Sequence, residues 1–211
     1  MRKRLLDLYC KQGGASAGYE DAGFEVTGVD LDYQPRYPFA FIQGDAIEYL
    51  KAHGHEYDAI AASPPCQAHT NAQKIQGNEH LDLIPPTREA LRALGKPYVM
   101  ENVPGAPLED PVTLCGVMFG LNTYRHRLFE AGNGFAFTTP EHPAHEARTV
   151  KMGRPLEPGD FYHAVGNFTN VDYVRGDMDV PWMSREGIRE CIPPAYTEYI
   201  GKHLMAFLLS T

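Results

Sequence analysis

The sequence predicts an α/β fold of Rossmann-like layout: a mostly parallel sheet with helices on both faces, plus a small irregular lobe. Three stretches carry this reading. In the first, Arg4 to Tyr9 reads as a strand and Cys10-Lys11-Gln12-Gly13-Gly14-Ala15-Ser16-Ala17-Gly18 as a glycine-containing turn entering a short helix to about Ala22. Glu25 to Val29 then forms a second strand with Asp30 at its tip. Strand, glycine turn, helix, strand and acid in that order is the layout of a nucleotide-binding unit; the glycines admit close backbone approach and the carboxylate accepts hydrogen bonds from ribose hydroxyls. In the second, Tyr57-Asp58-Ala59-Ile60-Ala61-Ala62 is a short apolar run suited to a buried parallel strand, and it delivers Ser63-Pro64-Pro65-Cys66-Gln67. In the third, Pro97-Tyr98-Val99-Met100 runs straight into Glu101-Asn102-Val103-Pro104-Gly105.

The remaining elements fit between these. Phe39 to Gln43 predicts a third strand that ends at Gly44-Asp45, and Ala46 to His53 a helix that closes at Gly54. Thr70 to His80 is polar without a clear period and reads as a loop. Pro86 to Leu94 predicts a capped helix stopped by Gly95. Leu114 to Phe119 and Leu128 to Ala131 read as the last strands, with Tyr124-Arg125-His126-Arg127 between them. From Gly132 to Pro181 the chain is rich in Gly, Pro and His with little periodicity, which predicts an irregular lobe rather than a second packed domain. Pro193 to Leu209 is a closing helix with Ile200, Leu204, Phe207 and Leu208 on one face. The main domain is thus expected over 1–131 and 182–211, with the lobe at 132–181.

Composition narrows the function classes. A chain of 211 residues with 43% hydrophobic and 22% charged residues suits one domain, alone or with an appended lobe. No apolar run reaches the length of a membrane span, and Asp7 interrupts the basic start too early for a signal peptide. Cys10, Cys66, Cys115 and Cys191 lie far apart with no CxxC pair, so neither a disulfide framework nor a zinc ribbon is expected, and a reducing cytoplasm is the natural setting. His126, His142 and His145 read as surface side chains rather than a metal site, because no cysteine or carboxylate spacing accompanies them. A net charge of −8 means that any nucleic-acid binding relies on a local basic face or is weak.

The chemistry converges on one sheet edge. Cys66 lies just past the carboxyl end of a strand, where open α/β sheets bind ligands, and two prolines fix the backbone ahead of it. The plain alternative is a small apolar core residue. Glu101 ends a core strand, where a carboxylate is costly unless used or paired. The Arg125/Arg127 pair supplies guanidinium groups. A thiol beside a carboxylate and a guanidinium is no protease triad, since no histidine with an orienting partner flanks Cys66. It suits attack on an electron-poor heterocycle. Carbon 5 of cytosine becomes nucleophilic once a thiolate adds at carbon 6, while a protonated Glu bonds ring nitrogen 3 and an Arg binds the exocyclic oxygen.

With these residues in hand, the chain resembles the DNA cytosine-5 methyltransferases, compact enzymes of phage or bacterial type that use S-adenosyl-L-methionine and have the class I methyltransferase fold. Asp7-Leu8-Tyr9-Cys10 with Gly13 and Gly14 is similar to the family's first motif, whose aromatic lies near the cofactor. Asp30, followed by Leu31, matches the ribose-binding acid, and Asp45 the acid facing the adenine. Pro64-Pro65-Cys66-Gln67 resembles the nucleophile motif, Glu101-Asn102-Val103 the second catalytic motif and Arg125-His126-Arg127 the arginine motif. Gly187-Ile188-Arg189-Glu190-Cys191-Ile192-Pro193-Pro194 is similar to the final motif, so Cys191 and Ile192 are expected to complete the cofactor pocket.

The resemblance implies a flipped DNA cytosine as substrate, Cys66, Glu101, Arg125 and Arg127 as catalytic groups, and no metal and no membrane. Three positions depart from the pattern: Lys11 replaces a glycine, Thr123 a glutamine and Glu190 an asparagine. The family's target-recognition domain is larger than the lobe here, which implies a short target site, another polynucleotide or a partner protein for recognition. Alternatives to DNA methylation are cytosine-5 methylation of RNA or of a free nucleotide, and an adenosylmethionine-binding interaction module without turnover.

Overall fold

Leu5, Leu6 and Leu8 are wholly buried on the two faces of one strand, and this makes β1 (Arg4–Leu8) the middle of the sheet. In the computed structural model, which describes residues 2–65, 82–150 and 154–210, β1 lies between β2 (Glu25–Asp30) and β4 (Ala59–Ala62), parallel to both. β3 (Ala40–Gln43) extends the sheet beyond β2, and β5 (Tyr98–Asn102) extends it beyond β4, again in parallel. β7 (Arg127–Gly132) runs antiparallel to β5, and β6 (Val112–Leu114) antiparallel to β7. The order is β3-β2-β1-β4-β5-β7-β6. The order in which strands are added reverses between β1 and β4, running outward through β2 and β3 on one side and through β5 on the other, so a crevice opens there at the carboxyl ends of the strands.

Side-chain alternation assigns the two faces. Leu5, Val26, Ala59 and Val99 pack with Tyr19 of α1 (Gly14–Asp21) and with Tyr196, Ile200 and Leu204 of the closing helix α6 (Pro194–Ser210). Leu6, Leu8, Ile60, Tyr98 and Met100 face the other way, against Leu50 of α2 (Ala46–His53) and Leu91 of α3 (Ile84–Leu94). The same alternation turns Asp7 and Glu101 towards the α1 side, because each follows a residue of the opposite face by one. Asp45 caps α2 by accepting from the N–H groups of Ile47 and Glu48, and Gly95, at φ 75°, ends α3. α3 begins at Ile84, two residues before the predicted start, because Pro85 and Pro86 occupy a first turn in which no N–H is needed. Among the described residues no helix is long and apolar enough to cross a membrane.

The stretch Leu114 to Phe119, expected as a strand, is corrected by the structure. β6 ends at Leu114, and Gly116–Phe119 forms a turn of 3-10 helix. Gly116 is the reason: its N–H reaches the Tyr124 carbonyl at 2.9 Å, and a Cβ there would lie 2.0 Å from the Thr123 carbonyl oxygen. Gly120, at φ 73°, closes the turn. The predicted loop from Thr70 to His80 lies outside the described residues.

The 132–181 stretch is largely irregular but contains a parallel pair, β8 (Thr149–Val150) with β9 (Phe161–Tyr162), and a helix that sequence periodicity did not announce, α4 (Val171–Met178). Tyr162, Phe168, Val174, Met178 and Val180 form its apolar cluster, which continues into Met183, Ile188 and Cys191. Ile188 belongs to a further short helix, α5 (Arg185–Glu190), capped by Ser184.

Two tight features tie the layers together. Gly14 and Gly18 lie one turn apart on α1, and Cβ atoms there would sit 2.5 Å from Cys191 Sγ and 2.0 Å from the Pro194 carbonyl oxygen. On the opposite flank Glu130 of β7 is 1% exposed and accepts hydrogen bonds from Arg88 Nε at 2.9 Å, Tyr98 OH at 2.9 Å and the Glu109 N–H at 2.9 Å. Gly18→Ala is expected to lower the unfolding free energy by about 2 kcal/mol, since the α1–α6 contact has no room for a methyl group. Arg88→Met, which leaves Glu130 buried without its guanidinium, is expected to cost on the order of 3 kcal/mol. Urea unfolding checks both, and the expected signature is a lower midpoint with an unchanged slope.

Candidate active site

At the crevice between β1 and β4 the structure opens a cavity of about 850 Å³, near the upper end of small-molecule sites. Its walls come from the carboxyl ends of the parallel strands, from the segment leading into β7, from the lobe and from residues 189–192. Sites of this kind follow from strand direction alone: each strand ends in a loop that can carry a polar group without burying it in the sheet.

The loop after β1 brings Tyr9 and Lys11 to the wall. Both have left-handed backbone, φ 62° and 47°, which costs a non-glycine residue roughly 1 kcal/mol each. Lys11 stands where the resembled motif has glycine, and its own backbone lies in the left-handed region that favours glycine. Its N–H donates to Asp30 Oδ2 at 3.0 Å, and its ammonium lies 3.8 Å from Asp30 Oδ1. Asp30 also accepts from the Asp32 N–H at 3.2 Å, which fixes its carboxylate at the tip of β2. Asp45 lines the same wall, with Oδ1 taking both α2 cap bonds at 2.9 Å. Leu31 also borders the cavity and is 70% exposed. Tyr9 OH pairs with Thr87 Oγ1 at 2.7 Å, a partner that no sequence motif indicated.

Gly14 borders the cavity, whereas Gly13 does not and stands behind the wall. Gly13 is at φ 83° before α1, and a Cβ there would meet the Tyr37 ring at 2.9 Å. Its part is to set the turn.

At the other side β5 supplies Glu101, 8% exposed, and Arg127 Nε forms an ion pair with its Oε1 at 2.9 Å. Burial pushes the Glu101 carboxyl up to about 7, with the Arg127 and Arg125 guanidinium groups opposing that rise. The next residue, Asn102, donates from Nδ2 to the Pro64 carbonyl at 3.0 Å, so the ends of β5 and β4 are laced together. Asn102 was not singled out from the sequence; its position inside the Glu101-Asn102-Val103 motif was the available signal. Ser63, Pro64 and Pro65 line the cavity. Cys66, the predicted nucleophile, lies outside the described residues.

Arg125 borders the cavity, but its guanidinium is engaged elsewhere. It donates to the carbonyls of Cys191 at 2.8 Å, Ile188 at 2.9 Å and Arg189 at 2.7 Å, where a cation suits the end of α5. The geometry therefore gives Arg125 a positioning part and leaves Arg127 as the guanidinium beside Glu101. The Cys191 thiol is buried and pushed up to about 11, a neutral packing group beside Ile192 in the wall. Gln12 fastens the same segment: Nε2 donates to Ser184 Oγ at 3.0 Å, Oε1 accepts the Ser184 N–H at 2.9 Å, and its carbonyl accepts the Trp182 indole at 2.7 Å.

One buried atom points to a ligand. Asp7 is 1% exposed and borders the cavity; Ser16 Oγ donates to its Oδ2, whereas Oδ1 has no hydrogen-bond partner among the described residues. Burial pushes its carboxyl up to about 7. An orphaned carboxylate oxygen in a cavity wall suits a cationic or donor-bearing ligand, and the acids at Asp30 and Asp45 suit a nucleoside. The residues present fit S-adenosyl-L-methionine, which carries both features.

No family profile matches the sequence. The chain is similar to the type II methyltransferase M.FnuDI of Fusobacterium nucleatum, with 31% identity over 81 residues, 35% of this chain and 24% of that protein. The matched stretch thus spans about a quarter of that relative's length. Among solved structures, a DNA modification methyltransferase encoded within a prophage of E. coli superposes with a TM-score of 0.64 at 16% identity, covering 99% of this chain and 100% of the other. A Spodoptera frugiperda DNMT2 variant gives 0.61 at 14% identity, over 96% and 99% of the two chains. S. pombe Dnmt2 gives 0.58 at 13% identity, over 98% and 99%. The chain has the class I methyltransferase fold that these solved structures share.

Proposed function

We propose that this protein transfers a methyl group from S-adenosyl-L-methionine to carbon 5 of cytosine in DNA, through a covalent adduct of Cys66. The observation that carries the reading is the buried Glu101–Arg127 pair, 2.9 Å apart at the edge of a cavity whose far wall is lined by Asp30 and Asp45. When bound, the cofactor supplies an electrophilic methyl group on a sulfonium. Tyr9, Asp30 and Asp45 hold its adenosine, Gly14, Cys191 and Ile192 close the wall around it, and the open oxygen of Asp7 suits its positive end. The target base leaves the helix to enter the site, at a cost of a few kcal/mol.

The chain's own groups then move one electron pair and one proton. The Cys66 thiolate forms a bond to carbon 6 while the Glu101 proton passes to ring nitrogen 3, so the ring becomes an enamine with a nucleophilic carbon 5. Arg127 holds the exocyclic oxygen and keeps the Glu101 carboxylate paired once its proton has gone. After methyl transfer the carbon-5 proton leaves to a base, the carbon–sulfur bond breaks and ring nitrogen 3 returns its proton to Glu101. The net change replaces a carbon-bound hydrogen by methyl and releases one proton.

The short lobe favours one variant of this reading, in which the cytosine belongs to RNA or a free nucleotide, and the net charge of −8 favours the nucleotide over either polyanion. A partner protein for target recognition would answer the same two features. An adenosylmethionine-binding module without turnover is the remaining alternative, and the match of Glu101 and Arg127 to catalytic motifs weighs against it.

Nucleoside mass analysis after incubation with cofactor and with DNA, RNA or cytidine nucleotides in separate reactions is expected to find 5-methylcytosine in the DNA reaction. Cys66→Ala is expected to make none while calorimetry still registers cofactor binding; product from the variant would end the covalent proposal. A pH series gives an independent check. Glu101 acts in its protonated form, which is depleted as pH rises through about 7, so kcat/KM is expected to fall on that limb. Glu101→Gln is expected to be slower by roughly 10²-fold and to lack that limb, because no proton remains to be lost there.

A further inference from the structure

Beside the proposed reaction centre, where His126 and His145 border the same cavity, the structure gathers four potential metal ligands from separate segments between Cys115 and His145. Cys115 follows β6, His126 stands between Arg125 and Arg127, and His142 and His145 belong to the lobe. One ligand atom from each, the sulfur and three ring nitrogens, all lie within 4.8 Å of one another. Cys115 Sγ is 3.4 Å from His145 Nε2. The ring centroids are 5.0 Å apart for His126 and His145, 4.9 Å for His142 and His145 and 5.7 Å for His126 and His142.

A tetrahedral zinc ion with bonds of about 2.3 Å to sulfur and 2.0–2.1 Å to nitrogen sets its ligand atoms roughly 3.3–3.6 Å apart. The observed cluster therefore closes onto an ion through small side-chain rotations. We propose that Cys115, His126, His142 and His145 form a structural zinc site that fastens the lobe to the β6–β7 hairpin.

The donor set and its surroundings agree with that assignment. One thiolate and three neutral imidazoles select zinc over magnesium or calcium, which require oxygen ligands. Four protein ligands leave no open position, the mark of a structural rather than a catalytic zinc. Tyr124 stacks on His145 with centroids 3.7 Å apart, and its hydroxyl donates to the Ala147 carbonyl at 3.0 Å, so the ring is held in place from behind. Cys115 is fully buried, whereas His142 and His145 are exposed, so the ion would enter from the lobe side. Zinc binding here does not depend on whether the substrate is DNA, because the ligands do not include the groups assigned to the reaction.

The test is metal content and coordination, read without any activity assay. Protein purified in zinc-supplemented medium and dialysed is expected to carry about one zinc per chain by plasma mass spectrometry. Cobalt replacement is expected to give intense visible bands of tetrahedral geometry together with a thiolate-to-cobalt band in the near ultraviolet. Cys115→Ser is expected to remove the thiolate band. His142→Ala, an exposed change that leaves the core alone, is expected to weaken zinc binding at least tenfold in competition with a chromophoric chelator, with its near-ultraviolet circular dichroism unchanged. Wild-type protein without stoichiometric metal, or with metal that both variants hold as tightly, would overturn the proposal.

Discussion

The close approach of the first glycine turn to the end of the chain is the constraint on which the site depends. Gly14 and Gly18 are the only side-chain choice at two successive turns of α1 that lets Cys191, Ile192 and Pro194 lie against it, since a methyl group would sit 2.0–2.6 Å from their atoms. Gln12 extends the contact through three hydrogen bonds to Trp182 and Ser184, and Thr197 Oγ1 adds one to the Ala15 carbonyl at 2.9 Å. One wall of the cavity is therefore made from residues almost the whole chain apart. These are long-range contacts, whose loop-closure entropy is offset only when the sheet between them has formed. The cavity is a consequence of the completed fold rather than of any one motif.

Within that frame the acids are arranged by pleat. Asp7 and Glu101 share one face of the sheet, and burial pushes both to about 7. Two carboxyl groups near neutrality at one cavity are expensive for stability, and they are of use to a reaction that needs a proton at one end and accommodates a cation at the other. The backbone around them is strained in the same sense. Tyr9, Lys11 and Arg125 all have positive φ, and all three border the cavity. Such strain persists where surrounding contacts over-determine the chain, here the Asp30 bonds to Lys11, the Thr87 bond to Tyr9 and the carbonyls around Arg125.

Much of this was legible in the sequence, and what was not has identifiable reasons. β1, β2, β4 and β5 announced themselves as short apolar runs with polar tips, and α6 by its apolar face, because periodicity reports burial directly. The run from Leu114 to Phe119 misled because apolar residues near glycines serve a tight helical turn as readily as a strand, and only the packing of Gly116 against Thr123 decides between them. α4 and α5 are eight and six residues long, too short for a period to emerge. At the site, residue type and order singled out Glu101 and Arg127, which border one cavity, but Arg125 could not be assigned its carbonyl partners without knowing where α5 ends. The histidines were read as surface side chains for a related reason. Their cysteine partner is supplied from the end of β6, and only the sheet's order brings the two segments together.

The tripeptide Arg125-His126-Arg127 joins these threads, because its three side chains serve three neighbours. Arg125 holds the carbonyls at the end of α5, His126 meets His142 and His145 of the lobe, and Arg127 pairs with Glu101 of β5. A short lobe can then shape the cavity without a large interface of its own. Tyr162 and Ala164 of the lobe border the cavity while packing with Ile188 and Cys191, the same segment that Arg125 fixes. Moving the lobe would pull on His126, and through one peptide unit on either side it would shift the guanidinium that keeps Glu101 in place. In a chain this small, the position of the lobe and the geometry of the Glu101–Arg127 pair are thereby set by the same three residues.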